Sequence, residues 1–360
     1  MRNYGPSDDN HATKASLAGP LSNNCFDARK KRGPLPASGG LKMGVRGTVE
    51  SYFHNFNAGE LARMSTSLLK HIESGGKVFI TLAGAMSTAG IGQLLAPLIR
   101  EGHVAGVSCT GANLEEDVFR MMARPHYASI DNWRSLSLED ETKLFEQKMN
   151  RVTDVCIPEE QAVRQLETHL MEAWKHASMN SIRNLPHQYF FEALQSESMM
   201  NNCDGDRQAS WVYAALELDV PVFVPGWEDS TMGNIFAARS LEGHINSDCV
   251  LSGIEYMKQL AIWYQAQTTP LAFLQIGGGI AGDFPVCVVP MLNQDLEKDV
   301  PLWSWFGQIS ESRPSYGGYS GAPPSEKITW GKIDAKTPMF VVESDATIVA
   351  PLLFVYILNL

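Results

Sequence analysis

The sequence predicts an α/β protein built on a mostly parallel sheet with helices on both faces. Three observations carry that expectation. Short, nearly continuous apolar runs recur along the chain, segments of helical length separate them, and each run ends in small, glycine-rich or acidic residues. A strand covered on both faces has no wet side to alternate with, so unbroken apolar runs point to a parallel sheet rather than to hairpins.

The first run, Lys77 to Leu82, leads into Ala83-Gly84-Ala85-Met86-Ser87-Thr88. The second, Val104 to Cys109, leads into Thr110-Gly111-Ala112-Asn113-Leu114-Glu115-Glu116-Asp117. Between the second and third, Val163, Leu166, Leu170 and Trp174 repeat at spacings of three and four, the stripe of a helix with one buried side. The third run, Val220 to Val224, is followed by Gly226-Trp227-Glu228-Asp229-Ser230-Thr231. The fourth, Ala272 to Ile276, ends at Gly277-Gly278-Gly279, and the fifth, Met339 to Glu343, at Ser344-Asp345-Ala346. In an open parallel sheet the carboxyl ends of the strands share one edge, where ligands bind. Glycines there let backbone amides approach phosphates, and acidic residues accept hydrogen bonds from ribose hydroxyls. The turns together favour a nucleotide-sized ligand, although the chain has no G-x-G-x-x-G sequence.

Composition narrows the function. The 360 residues are 44% hydrophobic, enough for one large core or two smaller ones. A formal charge of -11 and a pI near 5.3 exclude a general nucleic-acid binder, whose affinity comes from neutralising phosphates. Cys25, Cys109, Cys156, Cys203, Cys249 and Cys287 are scattered without a C-x-x-C pair, as expected of reduced thiols in a cytoplasmic protein. His169 and His176 lie seven apart on the predicted helix, and no metal is assigned to them. The longest apolar run, Ile348 to Leu360, is too short to cross a bilayer, so no membrane association is expected. Residues 1–45, rich in Gly, Pro, Ser and Asn and containing Lys30-Lys31-Arg32, read as a flexible tail, which leaves 46–360 as the folded domain.

One stretch carries chemistry. In Thr329-Trp330-Gly331-Lys332-Ile333 a lysine follows a glycine and an indole. An unprotonated amine attacks carbon to form an imine, and apolar packing or a nearby cation makes that form accessible. Lys327, five positions earlier, reads as solvent-facing.

These residues resemble the deoxyhypusine synthase family. The resemblance rests on Trp330-Gly331-Lys332, on Ser344-Asp345-Ala346 thirteen residues on, on Gly277-Gly278-Gly279, on Thr110-Gly111-Ala112 with Glu115-Glu116-Asp117, and on Phe56-Asn57-Ala58. It runs from about residue 45 to the end of the chain. It implies a Rossmann-like, doubly wound fold, NAD as cofactor, and a homotetramer with active sites between subunits. It also implies a reaction in which a dehydrogenated polyamine loses an amine and its remaining aminobutyl unit is carried as a lysine imine to an acceptor. By the same resemblance Lys332 is the imine-forming lysine and Trp330 flanks the polyamine. Thr110, Gly111, Ala112, Glu116, Asp229, Gly278, Asp345 and Ala346 meet NAD, and Glu115 and Glu326 meet substrate amines.

Departures from the family pattern bear on the substrate. Asp283 stands where the family has a catalytic histidine and is the second candidate catalytic residue, a base if its pKa is raised; Asn234 and Tyr319, candidate substrate-binding residues, stand where the family has aspartates against the substrate, and Tyr316 where it has another acidic residue. Two anionic anchors are lost and a ring is gained, so a shorter, differently charged or guanidinium-bearing amine is expected in place of spermidine. The acceptor is either a free polyamine, as in homospermidine synthases, or a protein lysine; a non-catalytic NAD- or polyamine-binding protein is the remaining alternative.

Overall fold

Apolar side chains dominate the strand runs; the strands Lys77–Leu82, Val104–Cys109 and Leu271–Ile276 are buried from end to end except at Lys77, and Met339–Val342 is mostly half-buried. The computed structural model describes residues 43–360, so most of the 1–45 segment, with its basic cluster and Cys25, lies outside the described residues. The first described helix already begins at Val45.

Among the described residues nine strands follow in order: β1 Lys77–Leu82, β2 Val104–Cys109, β3 Ala128–Ser129, β4 Met149–Val152, β5 Val155–Pro158, β6 Val222–Phe223, β7 Leu271–Ile276, β8 Trp305–Ile309 and β9 Met339–Val342. Six of them make a parallel sheet in the order β6-β2-β1-β7-β8-β9, with every pairing parallel. The remaining three form a small antiparallel sheet in the order β3-β5-β4. The α/β fold is therefore the expected one, with two additions: β8, which adds a strand between two that the sequence reveals, and the antiparallel sheet. The third run shrinks to Val222–Phe223, flanked by Pro221 and Pro225, which cannot donate to a ladder.

Register organises the sheet's faces. Phe79 pairs with Phe273 and Phe273 with Phe306, so the three rings stand side by side on one face. Their centroids are 5.9 and 5.5 Å apart, and Trp263 from the helix Gly253–Gln265 and Trp303 close over Phe79. Trp305, one residue before Phe306, points to the opposite face and donates its indole N–H to Ser67 on the helix Phe56–Glu73. Helices thus cover both faces. One step beyond the phenylalanines, on the same face, Thr81, Gln275 and Gln308 form a second, polar row. The predicted stripe Val163, Leu166, Leu170 and Trp174 is fully buried, its last three members on the helix Gln165–Asn180.

Arg46, on the first described helix, donates to the Tyr356 and Ile357 carbonyls of the helix Ala346–Leu358, so segments 310 positions apart are clasped. The five cysteines among the described residues are free thiols. No helix among them is long and apolar enough to cross a membrane.

Because Phe273 is fully buried between two rings, Phe273→Ala should cost about 3 to 5 kcal/mol of unfolding free energy in a urea titration. A cost below about 1 kcal/mol would mean that the phenylalanine row does not hold the sheet together.

Candidate functional site

The chain builds one wing of the sheet from β1 through β2 to β6, then returns to the other side of β1 with β7. A crevice at the carboxyl ends of β1 and β7 follows from that reversal. Here the backbones come close: a Cβ on Gly277 would lie 2.7 Å from the Ala83 Cβ, whereas a Cβ on Gly84 or Gly279 would meet nothing within 4 Å among the described residues.

Asn113 ties the loop after β1 to the helix Gly111–Ala123. Its amide donates to the carbonyls of Leu82, Ala83 and Gly84, and its carbonyl accepts from Ser87 N. Thr110 caps that helix and donates to the Gly84 carbonyl at 2.7 Å. Gly111 is packed so closely that a Cβ would lie 2.6 Å from the Ser230 Cβ, and Ala112 is half-buried beside it. Thr110, Gly111, the Gly84 loop and the turn bearing exposed Asp229 are thereby brought to one region. Glu116 is buried and accepts a hydrogen bond from the Thr88 hydroxyl; desolvation raises its pKa. At β9, Asp345 caps the helix Ala346–Leu358 by accepting from Thr347 N at 2.8 Å.

Two residues carried over as substrate contacts hold scaffold here. Glu115 is buried and gives both oxygens to the N–H groups of Thr231 and Met232, at 2.9 and 2.7 Å, at the start of the helix Thr231–Leu241. Desolvation outweighs those bonds and pushes its pKa up to about 7. Asn234 donates to the Ser230 carbonyl at 2.6 Å.

The lysine site lies on the β8 side. The short helix Glu326–Thr329 ends at Trp330, and Gly331 takes a φ of 67°, the left-handed turn that glycine adopts without cost. The turn brings Lys332 N back to the Lys327 carbonyl at 3.0 Å, while the Lys332 carbonyl accepts from Trp303 N at 3.3 Å. So held, the Lys332 side chain is 7% exposed and its Nζ lies 3.6 Å from Asp283 Oδ1. The Trp330 ring is 5.7 Å from that amine and the Tyr319 ring 5.9 Å. Asp283, Tyr319, Glu326, Lys327, Trp330 and Lys332 line one cavity of about 450 Å³. Trp330 remains 65% exposed at its mouth.

Tyr319 is fixed by the polar row: its hydroxyl donates to Gln275 Oε1 at 2.7 Å, and burial raises its pKa well above the ordinary phenol value. Gln308 donates to the Ser320 carbonyl at 2.8 Å, and Ser320 Oγ accepts from Gly279 N at 3.0 Å. A Cβ on Gly278 would lie 1.9 Å from that Oγ, so glycine is required for the loop to sit there.

Lys327 corrects an expectation. It is 3% exposed, not solvent-facing, because the helix turns it inward until its Nζ lies 4.8 Å from the Phe306 ring and 5.0 Å from the Tyr319 ring. Burial, together with the Lys332 cation, lowers its pKa to about 8.

The chain matches known proteins over most of its length. A family model for deoxyhypusine synthase matches residues 49–357. A "Deoxyhypusine synthase-like protein" of Cyanothece sp. is 30% identical over 340 residues, covering 91% of this chain and 81% of that protein. A "Probable deoxyhypusine synthase 1" of Methanosarcina acetivorans is 29% identical over 276 residues, covering 76% and 78%. A crystal structure assigned as a deoxyhypusine synthase from Entamoeba histolytica shares the fold, with a TM-score of 0.52 at 12% identity over 89% of this chain and 94% of the other.

The lowered Lys327 pKa makes stability depend on pH. Between about pH 8 and 10.5 the folded state binds fewer protons than the unfolded state, so this group adds stability as pH rises through that window, by about 1.4 kcal/mol for each pH unit crossed. Urea unfolding at pH 7.5 and 10 should show the increment in the wild type and its loss in Lys327→Met. An equal response in both proteins would show that the amine is not held in a dry site.

Proposed function

The chain belongs to the deoxyhypusine synthase family of transferases, and from this premise we propose that it moves an aminoalkyl group from a polyamine to an acceptor amine through an imine on Lys332, with NAD as cofactor. The carrying observation is the cavity that puts the Lys332 amine against one carboxylate and two aromatic rings. Such a chamber suits an amine with a methylene chain: rings cover the methylenes and attract ammonium groups, and the carboxylates of Asp283 and Glu326 complement their charge.

Asp283 orients Lys332 by its ion pair. The Lys332 amine attacks the activated carbon of the dehydrogenated substrate, and a C–N bond to Lys332 replaces the one to the departing amine. The acceptor amine then displaces Lys332 in the reverse sense. Residues fit for NAD are Thr110, Gly111, Ala112, Glu116, Asp229, Gly278, Asp345 and Ala346; in support, side chains at neighbouring Gly84 and Gly279 would project into open space at the crevice. NAD, when bound, supplies the two-electron oxidation that activates the amine and the final reduction. Glu116, buried and holding Thr88, suits a ribose acceptor better than a surface carboxylate does.

For the substrate, the commitments of Asn234 and Tyr319 are informative. Asn234 is bonded to the Ser230 carbonyl and the Tyr319 hydroxyl to Gln275, so the cavity gains a ring at a position where the family has an anion. This supports a donor that needs fewer carboxylate anchors than spermidine.

Lys332→Arg keeps the charge but cannot form the imine, since guanidinium stays protonated. The variant should fold and bind NAD, yet lose group transfer by at least about a thousandfold. Borohydride trapping with peptide mapping should place the wild-type adduct on Lys332; undiminished transfer by the variant would overturn the mechanism. In a panel of amines with NAD, absorbance at the reduced-nicotinamide band should rise faster with putrescine or agmatine than with spermidine. Fastest turnover of spermidine would show that Asp283, Asn234 and Tyr319 do not set the donor.

A further inference from the structure

Lys327 is the charged group in this cavity to which the proposed chemistry gives no task. Its amine is buried, faces the Phe306 and Tyr319 rings, and has no hydrogen-bond partner among the described residues. A lysine amine left without a partner is costly, and its usual escapes, snorkelling to water or pairing with a carboxylate, are both unused here. The groups that act on it are Lys332, Glu326 and Asp283, with the Tyr319 hydroxyl committed to Gln275 and the Cys287 thiol turned to Asp283. Both lysine amines lie within 6 Å of the same Tyr319 ring centroid, at 5.0 and 5.9 Å.

Imine formation by Lys332 requires a proton to leave it, since the ion pair with Asp283 is made by the ammonium form. A half-exposed carboxylate is a weak base for that task, whereas a buried amine whose pKa lies near the working pH keeps an unprotonated share that can take the proton. We propose that Lys327 is the proton acceptor of the site, taking a proton from the Lys332 ammonium as the imine forms and returning it to the amine that departs. Two N–H bonds of Lys332 break in turn: the first proton is held on Lys327 while the freed electron pair forms the C–N bond, the second leaves as the C–N bond to the departing amine breaks, and both end on the leaving nitrogen, so no outside acid is consumed. Burial and the Lys332 cation lower Lys327 to about 8, which leaves a working share of its amine unprotonated near neutrality. This inference rests on Lys332 as the imine-forming residue.

Reductive alkylation with propanal and cyanoborohydride tests it without NAD or the natural donor, the adduct being located and timed by intact mass and peptide mapping across pH 6.5 to 10.5. In the wild type, labelling of Lys332 should rise with a midpoint near pH 8. In Lys327→Met the rate at pH 7.5 should fall about tenfold and recover towards pH 10, where hydroxide replaces the lost acceptor. Lys327→Arg should show the same loss, because a permanently protonated guanidinium repels Lys332 as a lysine does but accepts no proton. If the methionine variant does not fold, the arginine variant and the wild-type profile decide. Lys332 labelled with one profile in all three proteins, or at the wild-type rate in Lys327→Arg, overturns the role of Lys327 alone. Wild-type labelling that spares Lys332 while marking other lysines removes the imine reading, and this inference falls with it.

Discussion

The site depends on two buried amides. Gln275 and Gln308 face each other across β7 and β8 on the same side as the phenylalanine row, where an apolar residue would pack at no polar cost. An amide buried there costs about 1 to 3 kcal/mol for a group left unpaired, so each must capture a partner. Gln275 holds the Tyr319 hydroxyl and the Gly277 carbonyl, and Gln308 holds the Ser320 carbonyl. The loop from Gly317 to Gly321 is pinned over the strand ends by these bonds. Through Tyr319 it forms a wall of the lysine cavity, and through Ser320 it meets Gly278 and Gly279, the glycines after β7 that border the crevice proposed for NAD. One polar row therefore sets the relative position of both halves of the site.

Charge is distributed sparingly. Several carboxylates near the strand ends satisfy backbone or hydroxyl donors: Glu115 takes the start of one helix, Asp345 another, and Asp117 accepts from Ser210 and Val212 N. The lysine cavity is left with Asp283 and Glu326 against two amines, close to electrical balance before any substrate enters. For the amine substrate proposed above, attraction would then come substantially from the faces of Tyr319 and Trp330. Ring faces prefer diffuse cations with apolar stems, whereas carboxylate clusters prefer compact ammonium groups.

Much of the architecture was legible in the chain. Unbroken apolar runs marked β1, β2, β7 and β9, and the three-four spacing marked the helix around Leu170. The strand β8 was harder to see, since Trp305-Phe306-Gly307-Gln308-Ile309 interrupts its apolar character with a glycine and an amide. Gly307 is needed because a Cβ would lie 2.3 Å from the Trp305 ring, a constraint invisible until the ring's direction is known. The antiparallel sheet leaves no pattern in the sequence because its strands span two to four residues. Lys332 stood out by its neighbours Trp330 and Gly331. Lys327 gave no such signal, because its burial depends on Phe306 and Tyr319, which arrive from other parts of the chain. The bonds of Glu115 and Asn234 to the segment around Ser230 are likewise properties of the assembled turn.

The order of the sheet also bears on how the chain is made. β1 lies at the centre, yet only β2 follows it closely; β7, its other neighbour, is translated after a long intervening stretch, and the clasp between Arg46 and Tyr356 closes over 310 positions. On the ribosome the apolar edge of β1 must wait, unpaired, for a partner not yet synthesised. A chain with its central strand early and its completing strands late keeps that edge open for longer during synthesis than one whose decisive contacts are local.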